Sequence, residues 1–143
     1  MTASINGTKA IVIPPEYTLI TPSESFTDDS YGVVSWHILF SRSRTPSSDL
    51  CAGIAVCPPA NGHLCGHRHE QAEIYYIIEG YGEMTIDGVK SHVAKGCSVF
   101  IPPNAEHGIE NTGIENLKWF YVFPTSAFSD VVYRFTQDEK PRF

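Results

Sequence analysis

Two histidines near the middle of the chain stand two positions apart, and a glutamate follows them. They are His67 and His69, and Glu73 opens the next apolar run, Ile74–Ile78. Residues i and i+2 of a β-strand point to the same face, so both imidazoles can converge on one point beside the carboxylate. Two imidazoles and one carboxylate on one face suit a divalent transition metal with open coordination positions. The histidine pair alone is weak evidence, because a single strand histidine is usually structural, and Glu73 strengthens it.

A second segment supplies another candidate ligand. Pro102-Pro103-Asn104 has the composition of a tight turn, in which asparagine tolerates a left-handed backbone. His107 follows this turn at the head of a new predicted strand. A ligand that arrives from a separate strand is what a metal clamp between two hairpins requires, so His107 strengthens the case for a metal centre.

The elements that must position these residues are short apolar runs split by turn residues, which is typical of an all-β sandwich or barrel. Asp87-Gly88, between two such runs, predicts a two-residue type I′ hairpin. Helical periodicity is absent, and at most a single turn is expected near Ser126–Asp130. The predicted strands are Lys9–Ile13, Val33–Phe40, Leu50–Val56, Ala72–Ile78, Gly82–Ile86, Val89–Val93, Ser98–Ile101, His107–Asn111 and Leu117–Phe123.

The length of 143 residues suits one compact domain. Residues 1–48 are irregular and end in a polar loop, so we interpret them as an arm that packs on the barrel or on a neighbouring subunit. Residues 49–124 form the predicted barrel core, and residues 125–143 a C-terminal extension.

Charge and hydropathy exclude several partners. The net charge is -6 with no cluster of Lys or Arg, which disfavours nucleic acid. No apolar run reaches the roughly 18 residues of a membrane span. The first residues lack the basic and apolar regions of a signal peptide, so we expect a cytoplasmic protein whose four cysteines are reduced thiols.

Both histidine segments resemble the paired motifs of the cupin superfamily. The first family motif, G-x5-H-x-H-x3,4-E-x6-G, is matched from His67 to Gly80, except that Gly62 stands one position too close to His67. The second motif, G-x5-P-x-G-x2-H-x3-N, is matched with Asn104 in place of the turn glycine; the matching residues are Gly96, Pro102, His107 and Asn111. The resemblance spans residues 50–123.

The resemblance implies a double-stranded β-helix, or jelly roll, with one divalent metal per subunit held by His67, His69, Glu73 and His107. Three imidazoles and a carboxylate suit Fe(II), Mn(II), Ni(II), Co(II) or Zn(II), and the ligands alone do not choose among them. Similar proteins are commonly dimers through their N-terminal strands, so we expect a homodimer.

Strand alternation predicts the residues that line a pocket for a small molecule. Tyr75 shares a face with Glu73 and is expected to point inward, where its phenol serves as acid, base or hydrogen-bond donor, or simply as a core aromatic. Of Trp36 and His37, which face opposite ways, one is expected at the barrel mouth or the subunit interface. Lys118 on the last strand should face solvent, which turns three aromatic residues inward as substrate wall or core: Trp119, Tyr121 and Phe123.

Three functions remain open at this point. The first is a dioxygenase-type oxidoreductase in which Fe(II) binds the substrate beside dioxygen. The second is a non-redox isomerase, lyase or cyclase, in which the metal polarises a carbonyl while Tyr75 or a metal-bound water moves a proton. The third is a small-molecule-binding protein without turnover. The aromatic and aliphatic wall favours a neutral or monoanionic, rather apolar ligand.

Overall fold

The computed structural model describes residues 7–139, and it consists of two antiparallel sheets facing each other. The strands are β1 (Glu24–Ser25), β2 (Gly32–Val33), β3 (Ser35–Phe40), β4 (Cys51–Cys57), β5 (His63–Arg68), β6 (Glu73–Glu79), β7 (Tyr81–Ile86), β8 (Val89–Ala94), β9 (Ser98–Ile101), β10 (His107–Asn111), β11 (Leu117–Phe123) and β12 (Arg134–Phe135). One short helix, α1 (Tyr17–Ile20), and three 3-10 turns complete the description; the turns are Asp29–Tyr31, Phe128–Asp130 and Thr136–Asp138.

The first sheet has the strand order β1-β3-β4-β11-β6-β9, and the second has the order β12-β5-β10-β7-β8, with β2 also paired to β5. Strands that follow one another along the chain repeatedly lie in different sheets, which is how a jelly roll winds. The hydrophobic core fills the space between the sheets. The predicted all-β jelly-roll class is therefore confirmed.

Large and small side chains alternate across the centre of the first sheet. In the register of β4 and β11, Trp119 lies opposite Ala55 and Tyr121 lies opposite Gly53. All four residues face the interior, because β11 buries every second residue and β4 does the same at these positions. Small side chains on β4 thus leave room in the core for the aromatic rings of β11.

Two predicted turns have the expected backbone. Asp87 and Gly88 both have positive φ, at 48° and 81°, and they join β7 to β8 with Ile86 paired to Val89. Asn104 has a φ of 61°, so it adopts the left-handed conformation expected for the turn before His107. Both results follow from local chemistry, since Asn, Asp and Gly tolerate this region better than other residues.

The predicted strand Lys9–Ile13 is wrong. Among the described residues, this segment pairs with no strand, and Val12 is 93% exposed. An apolar run forms a strand only where a partner satisfies its backbone and covers one face, and here Pro14 and Pro15 end the run before such pairing. Conversely, the list of predicted strands lacks β5, which begins at His63.

Both ends of the chain contribute strands to the barrel. From the segment before residue 49, β3 pairs with β4 and β2 pairs with β5. From the segment after residue 124, β12 pairs with β5 on the same edge as β2, because β10 occupies the opposite edge. Residues 1–6 and 140–143 lie outside the described part of the chain. Dimerisation through the N-terminal strands stays a prediction. Among the described residues, no helix has the length and apolar character needed to cross a bilayer.

Candidate metal centre

Three imidazoles converge at one end of the barrel interior. His67 lies near the end of β5, His69 follows that strand, and His107 begins β10 directly opposite His67. Their nearest ring nitrogens lie within 4.8 Å of one another. Each side chain is buried, with at most 1% of its residue surface exposed. Three imidazoles at this spacing are a group that can hold a metal ion.

Backbone carbonyls within two residues determine which nitrogen of each ring carries the proton. Nδ1 of His67 lies 2.8 Å from the Cys65 carbonyl, and Nδ1 of His107 lies 2.9 Å from that of Ala105. Nδ1 of His69 lies 2.9 Å from the Gln71 carbonyl. A carbonyl only accepts, so each Nδ1 donates, and the Nε2 atom of each neutral ring presents a lone pair to the interior.

Glu73, the first residue of β6, places a carboxylate against two of these lone pairs. Its Oε1 atom lies 3.1 Å from Nε2 of His69 and 3.3 Å from Nε2 of His107. A contact between two acceptors is favourable only when positive charge lies between them. A metal cation would attract the carboxylate oxygen and all three Nε2 atoms at once. A single proton would bridge the carboxylate to only one of the two imidazoles it contacts.

The third ring gives the same indication. The Nε2 atom of His67 is buried and has no hydrogen-bond partner among the described residues. Burial, with the neighbouring imidazole of His107 as the next cause, lowers the pKa of His67 well below 6.5. The ring is therefore neutral at pH 7, which is the form that binds metals. The residues present fit a divalent transition metal, and nitrogen and oxygen donors suit all five predicted cations.

A cavity of about 100 Å³ adjoins this group, with Glu73 in its wall. Aromatic rings make up most of the remaining wall, and within residues 7–139 Glu73 is the one charged residue that lines it. The aromatic residues are Phe26, Trp36, Tyr75, Trp119, Tyr121, Phe128 and Tyr133. Both sheets and the C-terminal segment contribute to this enclosure.

The residues proposed for the pocket divide into three groups. Trp36, Tyr75, Trp119 and Tyr121 line the cavity. Phe123 is fully buried and packs edge-on against His69 at 5.2 Å between ring centroids, outside the cavity wall. His37 does not reach the pocket, which corrects the expectation for this residue.

The reason for the His37 correction lies in the strand geometry. Neighbouring residues of β3 point to opposite faces, so the inward position of Trp36 turns His37 outward. There its Nε2 lies 2.7 Å from the carbonyl of Thr21. The choice between the two residues needed the sheet and could not be made from the run alone.

Sequence reasoning missed three aromatic residues of the site: Phe26, Phe128 and Tyr133. Tyr133 stacks on the ring of His67, with centroids 4.5 Å apart and an interplanar angle of 4°. Neither segment that carries these residues has strand periodicity, and aromatic density near the C-terminus was the available signal. The extension after residue 124 therefore covers the imidazole group.

The phenols of the cavity are held in their neutral form. Burial, followed by the charge of Glu73, raises the pKa of Tyr75 and Tyr133 well above 10. Burial likewise raises the pKa of Tyr121. In the absence of nearby positive charge, these three side chains are hydrogen-bond donors at neutral pH.

Comparison with known proteins places this geometry in a family. The cupin domain model matches residues 56–123. Dimethylsulfoniopropionate lyase DddW of Ruegeria pomeroyi is 40% identical over 116 residues, which make up 80% of this chain and 74% of that protein.

Solved structures share the fold. Polyketide cyclase RemF from Streptomyces resistomycificus superposes with a TM-score of 0.70 at 17% identity, over 87% of this chain and 86% of that chain. A predicted oxalate decarboxylase from Thermotoga maritima superposes with a TM-score of 0.57 at 26% identity, over 64% of this chain and 80% of that chain. The match to the cupin domain model, both sequence motifs and the group of three imidazoles agree. The chain belongs to the cupin superfamily.

Proposed function

We propose that this protein is a metal-dependent lyase that cleaves a carbon–sulfur bond of a sulfonium carboxylate such as dimethylsulfoniopropionate. The observation that carries the proposal is the 40% identity to a dimethylsulfoniopropionate lyase over most of both chains. Of the hypotheses drawn from the sequence, the non-redox lyase is favoured by this relative, and the dioxygenase is not.

The proposed reaction is an elimination whose atoms balance without an oxidant. A proton leaves the carbon next to the carboxylate, its electron pair forms the carbon–carbon double bond, and the carbon–sulfur bond breaks. Dimethylsulfoniopropionate then gives acrylate, dimethyl sulfide and one proton. The sulfide leaves as a neutral molecule, so the site needs a proton acceptor and needs no acid for the leaving group.

The side chains that would hold the metal are His67, His69 and His107, with Glu73 as the carboxylate ligand. The chemistry a divalent cation supplies there is Lewis-acid polarisation of a substrate oxygen. Glu73 would also keep the group compact, because its Oε1 atom already contacts two of the imidazoles.

Tyr75 is the residue we assign to proton transfer. It lies two residues after Glu73 on β6, on the same face of the strand. Its side chain is buried, lines the cavity and stacks on Trp119, with 5.2 Å between the ring centroids. Positive charge near a phenol lowers its pKa, so a sulfonium substrate and a metal cation both oppose the effect of burial. Tyr75 would then accept the substrate proton as a phenolate.

The walls of the cavity suit a cationic sulfur. Aromatic faces attract onium groups with about 0.5–2 kcal/mol each, more strongly when water is excluded. Five aromatic rings of the wall besides Tyr75 and Tyr121 are available, and no Lys or Arg among the lining residues would repel the cation.

The test is turnover in the absence of oxygen. Metal-loaded protein is incubated with dimethylsulfoniopropionate under nitrogen, and acrylate and dimethyl sulfide are measured by NMR and gas chromatography. Equal amounts of both products, with none from a His67→Ala variant, are expected. No anaerobic product, or product only with consumption of dioxygen, would refute the lyase and return the dioxygenase to first place.

A further inference from the structure

Two polar atoms in the cavity wall have no hydrogen-bond partner among the described residues. They are the indole Nε1 of Trp36 and the phenol oxygen of Tyr121, and each exposes less than 1 Å². Buried polar groups are nearly always hydrogen-bonded, and both side chains line the same cavity. A pair of unsatisfied donors in one cavity indicates a ligand that brings an acceptor.

The position of Tyr121 is built into the first sheet. A Cβ atom added to Gly53, its partner on β4, would lie 2.3 Å from the phenol oxygen and 2.4 Å from the carbonyl of His37. Only glycine at position 53 leaves space for the phenol to reach towards β3, the strand that carries Trp36. Tyr121 is 4% exposed, so its hydroxyl is withdrawn from bulk water.

Among the described residues, no cationic side chain lines the cavity to bind an anion, and Glu73 is the one charged residue of its wall. The arm residue Arg44 is held by the carboxylate of Glu24 through two contacts of 3.1 Å. Apart from the metal ion, an anionic end of a ligand would therefore be bound by neutral donors of the wall.

We propose that Trp36 and Tyr121 form a carboxylate-anchoring subsite, in which the indole N–H and the phenol O–H donate to the substrate carboxylate. The inference rests on the proposed function for the identity of the substrate, since a sulfonium carboxylate carries this acceptor. The anchored carboxylate would orient the adjacent C–H towards Tyr75 and leave the sulfonium among the remaining rings.

Binding of simple probes tests the subsite separately from turnover. Affinities of the metal-loaded protein for propionate and for trimethylsulfonium, which lacks an acceptor, are measured by calorimetry. Tyr121→Phe and Trp36→Phe are each expected to weaken propionate binding about 10-fold or more, the effect of losing a hydrogen bond to a charged group. Trimethylsulfonium binding should change by less than about 3-fold, because the aromatic faces stay.

The unfolding temperature of the ligand-free variants gives a second readout, which should not fall although propionate binding weakens. Tyr121→Phe removes a hydroxyl that has no partner among the described residues, so the ligand-free variant should unfold at the same temperature or higher. A purely structural role for the hydroxyl would lower that temperature. Tyr76→Phe is the matched control, because this phenol lies on the outer face of β6 and is 49% exposed. It should change neither quantity.

The outcomes separate the two proposals. Weaker propionate binding in both variants with unaltered stability supports the subsite even if dimethylsulfoniopropionate is not turned over, in which case only the lyase fails. Wild-type protein that does not bind propionate, or variants that bind it as tightly as the wild type, would overturn the subsite whatever the activity.

Discussion

The two sides of the site are built on different principles. On the metal side, His67, His69 and His107 have their Nδ1 atoms fixed by carbonyls only two residues away along the chain. On the aromatic side, Trp36 and Tyr121 come from strands far apart in sequence, and their polar atoms have no partner among the described residues.

If the proposed function holds, this difference corresponds to different tasks for the two sides. A metal centre needs a fixed tautomer and orientation at every ligand. Hydrogen bonds to carbonyls two residues away provide both without contacts from distant segments. A substrate wall needs shape and free donors, which arise where strands are brought together by the fold. Changes on the metal side should therefore act on metal content, and changes on the aromatic side on substrate binding and rate.

The largest expected effect is the loss of the metal in a His67→Ala variant. Metal content, measured by mass spectrometry of the purified protein, should fall far below one ion per chain, because the ion loses one of the three converging imidazoles and the two that remain with Glu73 bind it more weakly. His63→Ala, in the same strand, is the control and should keep its metal. Circular dichroism would verify that both variants fold. Full metal retention in His67→Ala would remove the distinction between the two sides.

The next effect is a loss of rate with the metal retained. Tyr75→Phe should lower kcat by about 10²–10⁴-fold, the usual range for a general acid–base group, while metal content stays that of the wild type. Tyr76→Phe, the next residue on the opposite face of β6, should leave kcat unchanged. An unchanged kcat in Tyr75→Phe would reduce this residue to a packing role, which was the alternative left open by the sequence.

The smallest effect is the pH dependence of the metal-free protein. Burial lowers the pKa of His67 in the folded chain well below 6.5. As the pH falls through about 6.5, this imidazole is therefore protonated in the unfolded chain but stays neutral in the folded chain. The free energy of unfolding should therefore decrease below that pH, by about 1.4 kcal/mol per pH unit from this group. Urea unfolding at several pH values measures the slope. An equal slope in a His67→Asn variant would assign it to other groups.

The strands and the group of three imidazoles were largely predictable for one physical reason. Strand alternation and turn chemistry act over a few residues, so Ser98–Ile101, His107–Asn111 and Leu117–Phe123 were predicted with the bounds that the structure shows. The left-handed turn residues Asp87 and Asn104 were predictable on the same ground. The spacing of the histidines indicated a metal centre, and the resemblance to cupins predicted the jelly-roll fold around it.

Other features depended on contacts between distant segments. Lys9–Ile13 is an apolar run like a strand but pairs with no strand among the described residues, and the run alone does not reveal whether a partner exists. The same limit applies to Tyr133, which stacks on His67 although 66 positions separate the two residues along the chain. No local signal encodes a contact of that kind.

The amino-acid sequence by itself determined the class of the fold, the left-handed turn residues and the spacing of the candidate ligands, because each depends on interactions within a few positions. The tertiary structure alone decided that Trp36 and not His37 faces the cavity, that Gly53 makes room for Tyr121, and that the C-terminal segment covers the imidazoles. These outcomes depend on which strands become neighbours, and that choice is made by burial and backbone pairing over the whole chain.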